Sequence, residues 1–417
     1  MLVLALAIFR CSTERVAFEQ TSFSRTGFCL LRQETRDGIY RDTDALPIVG
    51  QRLVVDGVDA VRVTFQSADE AAADCYVILN TITDRAREHL DEFRMGAGAD
   101  DGNAHALVCA LPADAIISYQ QVIVDTSDVR VSAVTEMCQW LQFVDGARPD
   151  AANPLTLVNG RGQQASLFVG PNARVVWPSR DLSDAQMWAV REVEIGEAIT
   201  ARLGMAGGRR VVTYDGESVP TCTLILFDGE MWRANGVGWL TRRYPGLRVV
   251  TIDAGACAQR EAELTDADRV AALLQAVCDE AGAGPVMVAG QSYGGLAALE
   301  VGLRQDLPVD VIVAQSPSLW WGGAARGVGE GALMRDLRSG VATPRPGVTL
   351  RLQVGTLEQT MRPVVDDCAE LLWSLGAHVE LDHYRSGHDV AWWREGLIRA
   401  LDEWRALEPV NFSVCGG

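Results

Sequence analysis

Short runs of alternating apolar and polar residues fill the first third of the chain. LVVDGVDAVRVTFQ, CYVILNT, ALVCALP and ISYQQVIVD fall within residues 53–144, separated by polar turns rich in Asp, Ala and Gly. A period of two turns one face of each run toward a core and the other toward water. This region is therefore predicted to be a small, all-β antiparallel sandwich of the immunoglobulin-like kind. Residues 83–94 read as an inserted or edge helix, and GARPDAAN at 146–153 has the Pro, Ala and Asn content of a linker. Residues 189–214 then predict paired strands leading into a second sheet. Strands around Leu224, Val249, Val286, Val311 and Leu350 alternate with helical segments, the order of a mostly parallel, doubly wound α/β sheet. HVELDHY at 378–384 alternates like one more strand, and 390–407 reads as an amphipathic closing helix. The expected organisation is a β-sandwich over 1–150, a linker with entering strands over 151–200, and an α/β domain over 201–417. No internal repeat or low-complexity tract interrupts it.

Composition narrows the functional classes. A chain of 417 residues with 48% apolar content can fill two or three cores. Its net charge of −18 argues against nucleic acid and against anionic membrane surfaces as partners. Every cation is arginine, since the sequence contains no lysine. The 10 cysteines form no C-x-x-C pair and no zinc spacing, as expected of buried thiols in a reducing compartment. The opening MLVLALAIF resembles the apolar part of a signal peptide but lacks a basic start and a small-residue cleavage site. A mis-assigned start codon or an edge strand accounts for it better. No other segment approaches the roughly twenty apolar residues of a membrane span, so a cytoplasmic protein is expected.

The chemistry is concentrated in PVMVAGQSYGGLAALE, residues 285–300. A strand, then Gly290-Gln291-Ser292-Tyr293-Gly294, then an Ala/Leu-rich helix is the nucleophile elbow of α/β-hydrolases in its structural context. The competing reading is an ordinary strand-to-helix turn. A serine hydroxyl is a weak nucleophile unless an adjacent base removes its proton. Of the five histidines, His388 lies on the loop Ser386-Gly387-His388-Asp389 after the last strand, where the base belongs. His378 and His383 fall within the strand pattern, and His89 and His105 precede the hydrolase part. The acid is expected after the strand at 349–354, and Glu358 is the first carboxylate there. Asp366 and Asp367 fall on the following helix, Asp389 neighbours His388 too closely in sequence, and a Ser–His pair with a weak or absent acid stays open. The oxyanion hole would draw on the N–H of Tyr293 and on one near Gly229 or Glu230, where the strand TLILF ends.

LFDGEMW, IDAGACAQREAEL, VAGQSYGGL, AQSPSLWW and SGHDVAWWREGL occur in that order and resemble the enterochelin esterase family from about residue 209 to the C-terminus. A weaker echo lies in 150–154 and in Asn159-Gly160-Arg161-Gly162. The resemblance implies a cytoplasmic iron-acquisition enzyme with an N-terminal β-sandwich and an α/β-hydrolase domain, which hydrolyses the esters of catecholate trilactone siderophores. It assigns Ser292 as nucleophile and His388 as base, and places Glu358 where the family has a glutamate. The enzyme would need no cofactor, because iron enters bound to its substrate through hard catecholate oxygens. That substrate is anionic, so a local basic patch must override the global charge. Arg260 is a candidate anion anchor at the ligand-binding edge of the sheet, or a salt-bridge partner of Glu261 or Glu263. Trp320 and Trp321 offer flat walls for catechol rings or helix-start packing. Arg161 and Arg174 are candidates for a further substrate contact or solvated surface groups, and Trp392 and Trp393 for packing. Two other readings remain: a general carboxylesterase or acyltransferase of this fold, such as the mycolyl-transferase branch, and a non-catalytic siderophore-binding protein. Neither the particular siderophore nor the oligomeric state is written in the sequence.

Overall fold

The computed structural model describes residues 18–20, 29–33, 47–67, 74–97, 105–124, 134–178, 200–206, 208–281, 284–303 and 307–407. The opening apolar segment and residues 189–199 lie outside them. The chain forms two compact units, Met1–Pro154 with Ala165–Arg174, and Leu155–Gln164 with Val175–Gly417. It therefore leaves the first unit, returns to it and leaves again. The segment 164–169, within the stretch expected to hold a linker and entering strands, is a strand of the first unit.

The first unit is built on antiparallel pairing. One sheet orders β1 (Phe18–Gln20), β2 (Cys29–Gln33), β7 (His105–Pro112), β4 (Val58–Ser67) and β3 (Ile48–Val55), with the short β6 (Gly96–Ala97) also paired to β7. A second sheet joins β5 (Asp74–Leu79), β8 (Ile116–Val124) and β10 (Gln164–Val169). Residues 83–94, expected as one helix, split into a single turn α1 (Ile82–Arg85) and a 3-10 stretch Arg87–Phe93, kinked at His89. The helix α2 (Met137–Asp145) packs Trp140 and Val144 against Tyr76, Ile78 and Val122. The two ends of the linker-like DAAN run, Asp150 and Asn153, are buried, while Ala151 and Ala152 between them are exposed. Tyr119 donates to Asp150 (2.8 Å), Asn153 donates to Tyr119 (3.0 Å) and to the Leu167 carbonyl (2.8 Å), and the Asp150 N–H donates to Ser166 (2.9 Å). Burial raises the Asp150 carboxyl above the usual carboxylate range.

The second unit is organised by an eight-stranded sheet. A hairpin of β11 (Thr200–Ala206) and β12 (Arg209–Asp215) pairs antiparallel onto β14 (Leu247–Ile252). From β14 the sheet runs parallel through β13 (Cys222–Leu226), β15 (Val286–Gln291), β16 (Val311–Gln315), β17 (Thr349–Gly355) and β18 (His378–Tyr384). Strands β13, β15 and β16 are buried at every position, as near-continuous apolar strands covered on both faces must be. One face packs on α6 (Ala267–Ala281), α7 (Tyr293–Gly302), α8 (Ala332–Ser339) and α9 (Arg362–Ser374). The other packs on α3 (Gly229–Ala234), α4 (Leu240–Arg243) and α10 (Val390–Leu407) through Trp232, Leu240, Leu397, Leu401 and Trp404. The strand β9 (Thr156–Val158) is held here by Asn235, whose amide both accepts from and donates to Val158 (3.1 and 2.9 Å). Because β15 to β18 are consecutive parallel neighbours, the loops at their C-terminal ends line up along one edge.

Candidate active site

Ser292 sits at the end of β15 with φ 58° and ψ −117°, outside the regions open to ordinary side chains. The glycine spacing around it has a direct steric cause. A Cβ on Gly290 would run into the Gly294 carbonyl. One on Gly294 would come within 3.1 Å of the Phe227 Cβ and 3.3 Å of Asp228 Oδ2. The turn is tied to the next loop, because the Ser292 N–H donates to the Gln315 carbonyl (3.0 Å) and the Ser318 N–H to the Ser292 carbonyl (2.9 Å). The Ser292 hydroxyl faces that of Ser318 at 3.3 Å.

Two strands further along the edge, Glu358 follows β17 and its side chain is fully buried. Its Oε2 meets His388 Nδ1 at 2.8 Å. Its Oε1 accepts from the Ser316 hydroxyl (2.5 Å) and from the Gly355 N–H (2.9 Å). Ser316 is buried at φ 43° and in turn accepts from the Trp393 indole (3.2 Å), whose ring stands edge-on to His388 at 4.9 Å. A carboxylate held this way can fix one imidazole tautomer and leave Nε2 as the basic nitrogen. The other carboxylates considered from sequence are engaged elsewhere. Asp366 meets His383 (2.6 Å), Asp367 pairs with Arg338, and Asp389 accepts the Ala391 N–H (3.0 Å) at the start of α10. His378 meets Thr349 at 3.1 Å.

Gly229, Glu230 and Tyr293 all stand in the first turn of a helix, α3 or α7, where an N–H has no intrahelical acceptor. Asp228, just before Gly229, adopts a left-handed conformation with φ 57°. The Glu230 carboxylate points back to accept the N–H groups of Ala254 and Gly255 (3.0–3.1 Å). The Tyr293 hydroxyl donates to Glu261 (2.8 Å), and burial together with that bond pushes its phenol up to about 12.

Arg260, on α5 (Cys257–Leu264), pairs with Asp228, a carboxylate not weighed for it from sequence. Its Nε and Nη2 grip Asp228 at 2.5 and 2.7 Å. Glu261 instead meets Tyr293 and Arg326, and Glu263 meets Arg209 and Arg269. Trp320 and Trp321 are half-buried and form a cluster with Tyr293, centroids 5.6–6.1 Å apart. The exposed Arg326 guanidinium lies over Trp320 and Tyr293, 5.7 and 6.0 Å from their centroids. Arg161 is exposed on a tight turn, its Nε bonded to Gln163 (3.1 Å) and its N–H to Asn159 (2.9 Å). A cavity of about 430 Å³ opens beside Asp228, lined by Phe227, Ile252, Glu263, Leu264 and Val270; Ser292 and His388 do not line it. Among the described residues no cluster of three or more His, Cys, Asp or Glu side chains could hold a metal ion.

Ser316, Ser318, Asp228 and Gln291 were not singled out from sequence, and Trp393 only as packing. The available signal was the S-P-S run directly after β16, which puts two hydroxyls at the same sheet edge as Ser292 and Glu358.

Comparison with known proteins gives a consistent picture. The Esterase family model matches residues 254–404. The iron(III) enterobactin esterase of Escherichia coli K12 is 28% identical over 288 residues, covering 64% of this chain and 70% of that protein. The iron(III) salmochelin esterase of Escherichia coli O6:H1 is 26% identical over 395 residues, covering 87% and 92%. The crystal structure of ferric enterobactin esterase from Salmonella typhimurium superposes with a TM-score of 0.69 at 23% identity, covering 88% of this chain and 98% of that one. That of the Shigella flexneri enterobactin esterase in the presence of enterobactin gives 0.67 at 23% identity, covering 86% and 96%.

Proposed function

The chain belongs to the enterochelin esterase family, and from that premise we propose a serine esterase that opens the ester bonds of a catecholate trilactone siderophore to release its iron. The observation that carries this reading is a strained Ser292 at the end of β15 together with a hydrogen-bonded Glu358–His388 couple on the loops after β17 and β18, at the same edge of one parallel sheet. Its similarity to iron(III) enterobactin and salmochelin esterases supports the substrate class; the geometry supports acyl transfer.

In the proposed mechanism Ser292 Oγ attacks a seryl ester carbonyl while His388 Nε2 takes the hydroxyl proton. Glu358 holds the ring through Nδ1 and stabilises the imidazolium. The N–H of Tyr293 and one from Gly229 or Glu230 hold the oxyanion. The tetrahedral intermediate collapses with cleavage of the ester C–O bond, and His388 returns the proton to the leaving serine hydroxyl. A water molecule then attacks the acyl-enzyme by the same route and frees Ser292. The second unit is read as an α/β-hydrolase domain and the first as an immunoglobulin-like sandwich. Trp320 and Trp321 would wall the catechol rings, with Arg326 supplying positive charge above them. No resident cofactor is required, since iron is cargo. Among the described residues no helix is long and apolar enough to cross a membrane, and we place the enzyme in the cytoplasm.

The test is chromatographic. Purified protein is incubated with ferric and iron-free enterobactin, with Ser292→Ala in parallel. Stepwise appearance of linear trimer, dimer and dihydroxybenzoylserine, absent in the variant, is the expected result. Intact hydrolysis of p-nitrophenyl esters without attack on either siderophore form would refute the substrate assignment. Failure of Ser292 to react with a fluorophosphonate would refute the serine mechanism.

A further inference from the structure

The Arg260 fork is occupied by the protein itself. Nε and Nη2 both bond Asp228, Nη2 also reaches the Gln291 carbonyl at 3.4 Å, and the guanidinium carbon lies 5.4 Å from the Tyr293 ring centroid. Each of those partners belongs to a different part of the reaction centre. Asp228 directly precedes Gly229, Gln291 directly precedes Ser292, and Tyr293 directly follows it. Gln291 closes the circuit by donating from Nε2 to Asp228 Oδ2 at 2.9 Å. The Asp228 side chain is only 9% exposed and that of Arg260 23%, so the bonds form largely out of water, where a bidentate charged pair is both strong and directional. Asp228 stands in a left-handed conformation, which an aspartate adopts more readily than most residues with a Cβ because its short side chain finds hydrogen bonds close by. The same carboxylate lies against Gly294, where an added Cβ would come within 3.3 Å of its Oδ2.

We propose that Arg260 is a positioning residue: by clamping Asp228 against Gln291 it fixes the loop that presents the Gly229 N–H relative to Ser292, and it does not serve as the anion anchor for substrate. The inference rests on the serine-esterase reading above but not on the identity of the siderophore. The cation offered to an anionic ligand is then Arg326, 72% exposed and bonded at 3.2 Å to Glu261.

Anchor and clamp separate on a small neutral ester, which has no anion to bind. Arg260→Lys, Arg260→Gln and Asp228→Asn are assayed with p-nitrophenyl acetate and with a ferric catecholate ester, alongside the rate of fluorophosphonate labelling of Ser292. A displaced oxyanion donor lowers kcat by about 10². The clamp therefore predicts that Arg260→Gln loses on the order of tenfold or more in kcat on p-nitrophenyl acetate, with KM changed less than threefold and labelling slowed in parallel. Arg260→Lys keeps the charge but not the fork, and is expected to fall nearly as far. Should Arg260→Gln melt below the assay temperature, Asp228→Asn, which preserves shape, decides by the same kcat criterion. The proposal is overturned if kcat on the neutral ester stays within threefold of wild type while KM for the ferric catecholate ester rises. Wild-type protein that cleaves p-nitrophenyl acetate but no siderophore removes the substrate assignment and leaves this test intact. Retained hydrolysis of the neutral ester by Ser292→Ala removes the serine reading and this inference with it.

Discussion

Replacing Glu358 by glutamine alters one atom and no volume, yet the surroundings of that side chain make it a severe change in the proposed mechanism. Three donors converge on the carboxylate. Ser316 and Gly355 address Oε1, and the ring nitrogen of His388 addresses Oε2. A glutamine has one acceptor oxygen. Two donors outvote one, so the amide oxygen is held toward Ser316 and Gly355 and the NH2 group turns to His388. The imidazole must then offer an unprotonated Nδ1 and carry its proton on Nε2, the nitrogen needed to receive the proton of Ser292. A tautomer inverted this way costs on the order of 10⁴ in kcat, equivalent to about 5 kcal/mol of transition-state stabilisation. The fold should survive, because Ser316 and Gly355 keep their acceptor and the bond to His388 is reversed rather than lost, so no buried group is left without a partner, a loss that would cost about 1–3 kcal/mol. The assay is kcat on a p-nitrophenyl ester with the melting temperature measured beside it. A kcat within tenfold of wild type, in a variant that melts normally, would refute the assignment of Glu358 as the orienting acid.

Other consequences are equally open to measurement. Gly290→Ala should destabilise the second unit by about 3 kcal/mol, read as a lowered melting temperature, because the added methyl meets the Gly294 backbone and neither strand nor helix can yield. Trp320→Ala should raise KM for catecholate esters roughly tenfold, the worth of one aromatic stack, and leave kcat on p-nitrophenyl acetate nearly unchanged; equal losses on both substrates would contradict the wall. Extended dialysis against EDTA should not slow hydrolysis of the neutral ester, and a loss restored by added metal would count against a cofactor-free reaction. Glu395 accepts the N–H groups of Val176 and Trp177 (2.7 and 3.0 Å), yet burial dominates and raises its carboxyl. A raised carboxyl binds its proton more tightly in the native state, so its contribution is present at low pH and is lost as pH climbs from about 4.3 through the raised value. Glu395→Gln should therefore gain melting temperature relative to wild type across that window, and a constant difference with pH would oppose the assignment.

Where a local rule decides a position, the sequence is readable. The two glycines flanking Ser292 announce the turn because their side chains would collide inside it. Buried parallel strands announce themselves as apolar runs, as at β15 and β16. What escaped reading depends on contacts between residues far apart in the chain. Asp228 looked like part of a strand-ending turn, and only the fold brings Arg260 to it across 32 positions. Ser316 gives no warning of its positive φ, nor Trp393 of its bond to that hydroxyl, 77 positions away. The β10 strand was hidden for another reason. Its core residues are buried on both sides, so QASLFV carries too little alternation to stand out.

The path of the chain between its two units limits how the protein can be taken apart. Residues 155–164 belong with the second unit although the chain on either side belongs to the first. No single cut separates the two. A truncation after residue 154 leaves the shorter piece without β10 and burdens the longer one with that orphaned strand. A boundary that keeps the first unit whole has to fall at residue 174, and it carries residues 155–164 away from the second unit with it.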